Sequence, residues 1–225
     1  IPLHAPYFNN SEEHHLLQCL RSTFVSSAGE YTELFENSLT ELLRPNFVVL
    51  TVNGTTALQI ALETVGVEAG DLVITQALSF VATANAIKHV GADPIFLDVD
   101  QKSLGLDPKR LKNFLQDNAK IVGDSLIHCL SGRKIRAVVP VHTLGHPCQI
   151  EKIKIIADEW SLPVVEDAAE SLGSKFNDKL TGTFGTAACF SFNGNKIITS
   201  GGGGAIVFSN EELALSAKHL ISTAK

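Results

Sequence analysis

Short apolar runs alternate with helix-length stretches along almost the whole chain. Phe47–Val52, Leu72–Thr75, Pro94–Val99, Ile135–Val141, Pro163–Glu166, Ala187–Phe192 and Ala205–Phe208 read as strands. Residues 11–24, 30–43, Ala57–Thr64, 80–90, 108–117, 150–160 and 210–222 read as helices. Phe47–Val52 is almost wholly apolar, as a strand covered on both faces is. Strands separated by helices predict an α/β fold with a mostly parallel sheet flanked by helices. The polar interval 118–134, with Gly123 and Gly132, breaks the pattern and reads as an inserted hairpin or loop. Helical residues continue up to Lys225, so the chain stops in mid-architecture.

At 225 residues, 44% of them hydrophobic, the chain can bury a sizeable core in one large domain or two small ones. A formal charge of -6 without a Lys/Arg run argues against a nucleic-acid partner. Cys19, Cys129, Cys148 and Cys189 are widely spaced and form no CxxC pair. Reduced, structural thiols in a cytoplasmic protein are expected, with no disulfide framework and no metal site. No apolar run approaches the roughly 20 residues that cross a bilayer, so no membrane span is expected. Pro2, His4 and Pro6 do not form a secretory leader, and the lack of methionine points to a processed or edited chain.

Three segments carry chemistry. Asn53-Gly54-Thr55-Thr56-Ala57 follows a strand and opens a helix. A helix N-terminus presents unpaired N–H groups and partial positive charge, which suits a phosphate; a plain N-cap is the alternative. Glu166-Asp167-Ala168-Ala169-Glu170 ends an apolar strand, where open α/β sheets place ligands. A carboxylate there can pair with a protonated heterocyclic nitrogen, or else form a structural ion pair. Phe190-Ser191-Phe192-Asn193-Gly194-Asn195-Lys196 leads into Gly201–Gly204. A lysine in such a turn can project into a cleft as an imine-forming amine, or lie in solvent as most lysines do. The four glycines lack GxGxxG spacing and precede a strand, so they are no dinucleotide fingerprint.

Taken in order, these segments resemble the DegT-type family of sugar aminotransferases. The shared features are Gly54-Thr55, the run Ser79-Phe80-Val81-Ala82-Thr83-Ala84-Asn85-Ala86-Ile87, and Pro140-Val141-His142 with Gly145. They continue with Glu166-Asp167-Ala168-Ala169 and with Ser191-Phe192, while Lys196 follows Asp167 by 29 residues. The resemblance implies an aspartate-aminotransferase-like (type I) large domain over 1–225 that binds pyridoxal 5'-phosphate. Residues 1–45 would be a substrate-side and dimer arm, and the family's small C-terminal domain would be absent.

By the same resemblance, Lys196 is the catalytic, Schiff-base lysine and Asp167 pairs with the ring nitrogen. Phe80 stacks on one ring face and Ala169 packs on the other. Gly54, Thr55, Thr56 and Ser191 cradle the phosphate, and Glu170 lies near the phenolic oxygen. Ser27, Gly29, His142 and Asn193 are candidate substrate contacts. The implied reaction moves an amino group from L-glutamate to the 4-keto group of a nucleotide-linked 4-keto-6-deoxy sugar in polysaccharide biosynthesis, in a cytoplasmic homodimer. Glu166 to Ser174, Phe192 to Ile198 and His142 to Pro147 resemble the subgroup acting on UDP-linked N-acetylated sugars. Enzymes forming GDP-perosamine share several of these features. A pyridoxal-phosphate-dependent sugar dehydratase and a noncatalytic scaffold of the same fold are the alternatives. Relatives that deoxygenate carry histidine at the position of Lys196, which favours transamination.

Overall fold

The computed structural model describes residues 5–44 and 46–222. The first four residues and Pro45 of the expected arm, and the end of the expected helix up to Lys225, lie outside the described residues. The order begins with α1 (Ser11–Ser22), α2 (Glu30–Leu42), β1 (Phe47–Thr51), α3 (Gly54–Thr64), β2 (Leu72–Gln76), α4 (Val81–His89) and β3 (Asp93–Leu97). It continues through α5 (Pro108–Asn118), β4 (Ala119–Val122), β5 (Ser125–His128), β6 (Ile135–Val139), α6 (Ile150–Glu159) and β7 (Val165–Asp167). It closes with β8 (Lys175–Phe176), β9 (Lys179–Leu180), β10 (Ala187–Ser191), β11 (Gly204–Phe208) and α7 (Glu211–Ser222).

β2 lies parallel between β3 and β6, and β10 lies parallel to β7. Parallel bridges Val138–Val164 and Val141–Asp167 join β6 to the β7 strand. The main sheet therefore reads β1-β11-β10-β7-β6-β2-β3. Only β11 runs against its neighbours, pairing antiparallel with both β1 and β10. No helix separates β10 from β11, so the glycine-rich loop between them returns the chain directly into antiparallel pairing.

Successive residues of a strand face opposite sides, and the core follows that alternation. Val73 and Val139 pack on one face with Ala57, Leu58, Ala61, Ile87 and Ala217 from α3, α4 and α7. Ile74 and Val138 pack on the other with Leu111, Leu115, Ile150 and Ile153 from α5 and α6. A third cluster places Leu39 and Leu43, at the end of α2, against Val48, Phe190 and Val207. α1 buries no residue.

Three local readings change. α3 starts at Gly54 rather than Ala57, because the Asn53 side chain accepts the Thr56 N–H at 2.7 Å and caps the helix there. β7 runs through Asp167, so the second carboxylate is on the strand and not beyond it. The small β8–β9 hairpin was not anticipated from the sequence; Asn177 (φ 48°) and Asp178 (φ 63°) supply its left-handed turn. The interval 118–134 holds the expected hairpin, β4 paired with β5. Among the described residues no helix is long and apolar enough to cross a membrane, and no cluster of metal-ligating side chains occurs.

Candidate active site

The parallel strands deliver Gln76, Val139 and Asp167 to one end of the sheet, and β10 delivers Ser191 there. Glu166 and Asp167 are neighbours on β7, so their side chains leave opposite faces. Glu166 is fully buried and accepts N–H bonds from Gly182 at 2.9 Å and from Phe184 and Gly185 at 2.7 Å. The ring of His142 completes that set. Its Nδ1 accepts the Cys148 N–H at 3.2 Å, which leaves the proton on Nε2 to be donated to Glu166 Oε2 at 3.0 Å. Glu166 thereby ties the 182–185 loop to the sheet.

Asp167 faces the other way with spare acceptor capacity. Its Oδ2 accepts the Thr83 hydroxyl at 2.7 Å and its Oδ1 the Ala169 N–H at 3.2 Å. Burial pushes its carboxyl above the usual carboxylate range, against the pull of those two donors and of the Lys196 charge. A buried anion without an ion-pair partner in contact is costly, so the position fits a ligand that brings a positive charge.

Lys196 lies in the loop after β10, where its N–H bonds Asn193 O at 3.0 Å. Phe192, buried and edge-on to Phe35 of α2 at 4.9 Å, anchors that loop. The Lys196 side chain is only 12% exposed and its Nζ lies 3.1 Å from Glu170 Oε1. The same Nζ is 5.9 Å from the centre of the Phe80 ring, which is 70% exposed. Lys196, Glu170 and Phe80 thus meet, with Asp167 and Ala169 beside them.

The N-terminus of α3 forms the next wall. A Cβ on Gly54 would stand 2.8 Å from Ser191 Cβ, so glycine allows the helix start to press against the end of β10. Gly203 N–H bonds Val52 O at 2.9 Å and Phe192 N–H bonds Gly203 O at 3.0 Å, tying the loops of β1, β10 and β11 together. The Thr55 N–H lies in the first helical turn, where no carbonyl four residues back is available within the helix. Gly54, Thr55, Thr56 and Ser191 therefore gather at one helix end with donor capacity for an anion. Asn53 engages the Thr56 N–H, so that donor is committed to the cap.

The other candidates stand apart. His142 is 1% exposed with both ring nitrogens engaged, so the substrate contact expected of it gives way to a structural one. Ser27 and Asn193 are exposed, and Gly29 lies at the entry of α2; Asn193 meets Lys196 through the backbone bond of their shared loop. Thr83, within the 79–87 run, touches Asp167 directly and is a site residue that the sequence motifs alone do not single out. Its signal is the spacing from Phe80, one helical turn away on α4. Open clefts of about 560 Å³ beside His146 and Lys175 and about 490 Å³ beside Trp160 lie away from Lys196.

The profile of the DegT/DnrJ/EryC1/StrS aminotransferase family matches residues 6–224. GDP-perosamine synthase of Escherichia coli O157:H7 is 37% identical over 213 residues, 95% of this chain and 54% of that protein. The putative pyridoxal phosphate-dependent aminotransferase EpsN of Bacillus subtilis is 34% identical over 225 residues, 100% of this chain and 55% of that protein. Among solved structures, NtdA from Bacillus subtilis with bound cofactor PMP superposes with a TM-score of 0.77 at 30% identity. That match covers 94% of this chain and 45% of NtdA. The chain spans about half the length of the relatives it matches.

Proposed function

Since the chain belongs to the DegT/DnrJ/EryC1/StrS aminotransferase family, we propose that it is the catalytic large domain of a pyridoxal-phosphate-dependent nucleotide-sugar aminotransferase. The observation that carries this reading is a nearly buried Lys196 amine, 5.9 Å from the centre of the exposed Phe80 ring and close enough to a buried Asp167 carboxylate for its charge to be felt there. The residues present fit pyridoxal phosphate. Gly54, Thr55, Thr56 and Ser191 would hold its phosphate, Asp167 its ring nitrogen, Phe80 and Ala169 its two faces. Bound there, the cofactor supplies an aldehyde that captures amines and a ring that withdraws electrons.

This chain's own residues do the rest. Lys196 Nζ binds the cofactor and is the base that removes and returns the proton at the donor's α-carbon. Glu170 holds that amine in place through its 3.1 Å contact. Asp167 keeps the ring nitrogen charged, and Phe80 shields one face from water. L-Glutamate is the amino donor and a nucleotide-linked 4-keto-6-deoxy sugar the acceptor, with Ser27, Gly29 and Asn193 on the substrate side. A lysine at position 196 favours transamination over deoxygenation, since only an amine there can serve both tasks.

The nucleotide has two supported readings. The motif resemblance favours a UDP-linked N-acetylated sugar, and the relative named GDP-perosamine synthase favours a GDP-linked one. The working unit in this reading is a cytoplasmic homodimer in which residues 1–45 act as an arm. Leu16, Leu20 and Phe24 in that segment and Phe80, Val81 and Leu144 near the site are exposed, which supports burial against a second subunit. Borohydride reduction followed by mass spectrometry tests the cofactor: a phosphopyridoxyl adduct on Lys196 is expected, and its absence overturns the enzyme reading in favour of a scaffold. Assay with UDP-, GDP- and dTDP-linked 4-keto sugars and glutamate then selects the nucleotide; a deoxygenated product would select the dehydratase instead.

A further inference from the structure

We propose that Thr83 is a positioning residue for this site, orienting the Asp167 carboxylate through its hydroxyl with Ser79 as its support. The inference rests on the function proposed above. An ionised carboxylate has no proton to give, so across the 2.7 Å contact Thr83 must be the donor to Oδ2. The Ser79 hydroxyl is shared between Thr83 Oγ1 at 2.7 Å and Phe80 O at 3.0 Å, and toward Thr83 it is the donor, which leaves Thr83's own proton free to point at Asp167. Together with the Ala169 N–H on Oδ1, this fixes the plane of the carboxylate. Thr83 is 1% exposed, so no water replaces its hydroxyl if it is lost.

The placement also joins two parts of the site. Phe80 caps α4 and Thr83 stands one turn into it, so a single helix carries the aromatic face and the group that orients Asp167. A displacement of α4 would therefore move both together. Burial opposes the charged form of Asp167, and hydrogen bonding from the Thr83 hydroxyl works against it.

The test compares Thr83→Val, which keeps the shape and removes the donor, with Thr83→Ser, which keeps the donor. In cofactor-free protein, the Asp167 carboxyl is titrated by carbon-13 NMR and assigned by its loss in Asp167→Asn. The midpoint should rise in Thr83→Val and stay near the parent value in Thr83→Ser. With pyridoxal phosphate added, Thr83→Val should bind about tenfold or more weakly, as expected for a lost hydrogen bond to a buried charge. It should also lower kcat more than it raises KM for the amino donor, a split that mere loosening of the fold would not give. An unchanged midpoint in folded Thr83→Val, or a Thr83→Ser variant that titrates like Thr83→Val, overturns the proposal. Failure of the parent protein to take up pyridoxal phosphate would instead sink the proposed function, while the cofactor-free titration still decides the role of Thr83.

Discussion

At the scale of the residue, two adjacent carboxylates do opposite work because a strand turns alternate side chains to opposite faces. Glu166 is saturated by three N–H groups and a histidine. Glu166→Ala would leave those donors buried and unpaired, so a stability loss of about 3 kcal/mol or more is expected in urea denaturation. Asp167 is the reverse, a buried group whose carboxyl is raised by its surroundings. A raised acid contributes stability that is complete below its unfolded value and is lost as pH climbs through the folded one. The contribution of Asp167 to the melting temperature of cofactor-free protein should therefore decline as pH climbs above about 4, the unfolded value. Asp167→Asn should flatten that slope; an unchanged slope would show that Asp167 is not its source. Burial also pushes the Cys148 and Cys189 thiols up. In native protein, alkylation should reach Cys129, which is exposed, and Cys19, while sparing Cys148 and Cys189 until unfolding.

At the scale of the element, the candidate site depends on where a few termini are held. Asn53 caps α3, and Asn53→Ala should cost about 1 kcal/mol by the same denaturation measurement. Gly204 is less forgiving, since a Cβ there would stand 2.5 Å from the Asn53 backbone. Gly204→Ala should cost about 1–3 kcal/mol and weaken cofactor binding together with stability, because backbone cannot step aside as a flexible side chain can. α1 buries nothing within the chain, so in a monomeric state its amides should exchange with solvent far faster than those of β2, whose residues are all buried. The starts and ends of these elements were partly legible in the sequence. Asn53 advertised a cap, yet Gly54-Thr55-Thr56 resembles a turn when seen alone and hides the first turn of α3. Asn177 and Asp178 advertised a left-handed hairpin turn, but strands of two residues carry no periodicity to flag them.

At the scale of the whole molecule, the candidate site lies at the carboxyl ends of β10, β7, β6 and β2, with the reversed β11 returning beside them. The exposed apolar residues around it predict association: light scattering should give the mass of a dimer, and a monomer at working concentrations would refute the proposed arm and partner contacts. The sequence by itself determined the alternation of strands and helices and which faces are apolar, because both arise from periodicities only a few residues long. It also placed Lys196 and Asp167 in an ordered set of motifs. Only the tertiary structure decided which carboxylate lies on the side of Lys196, that His142 is a buried partner of Glu166, and that Thr83 reaches Asp167 across 84 residues of chain. Those are contacts between distant segments, fixed by strand order and by the burial of charge, and no local pattern encodes them.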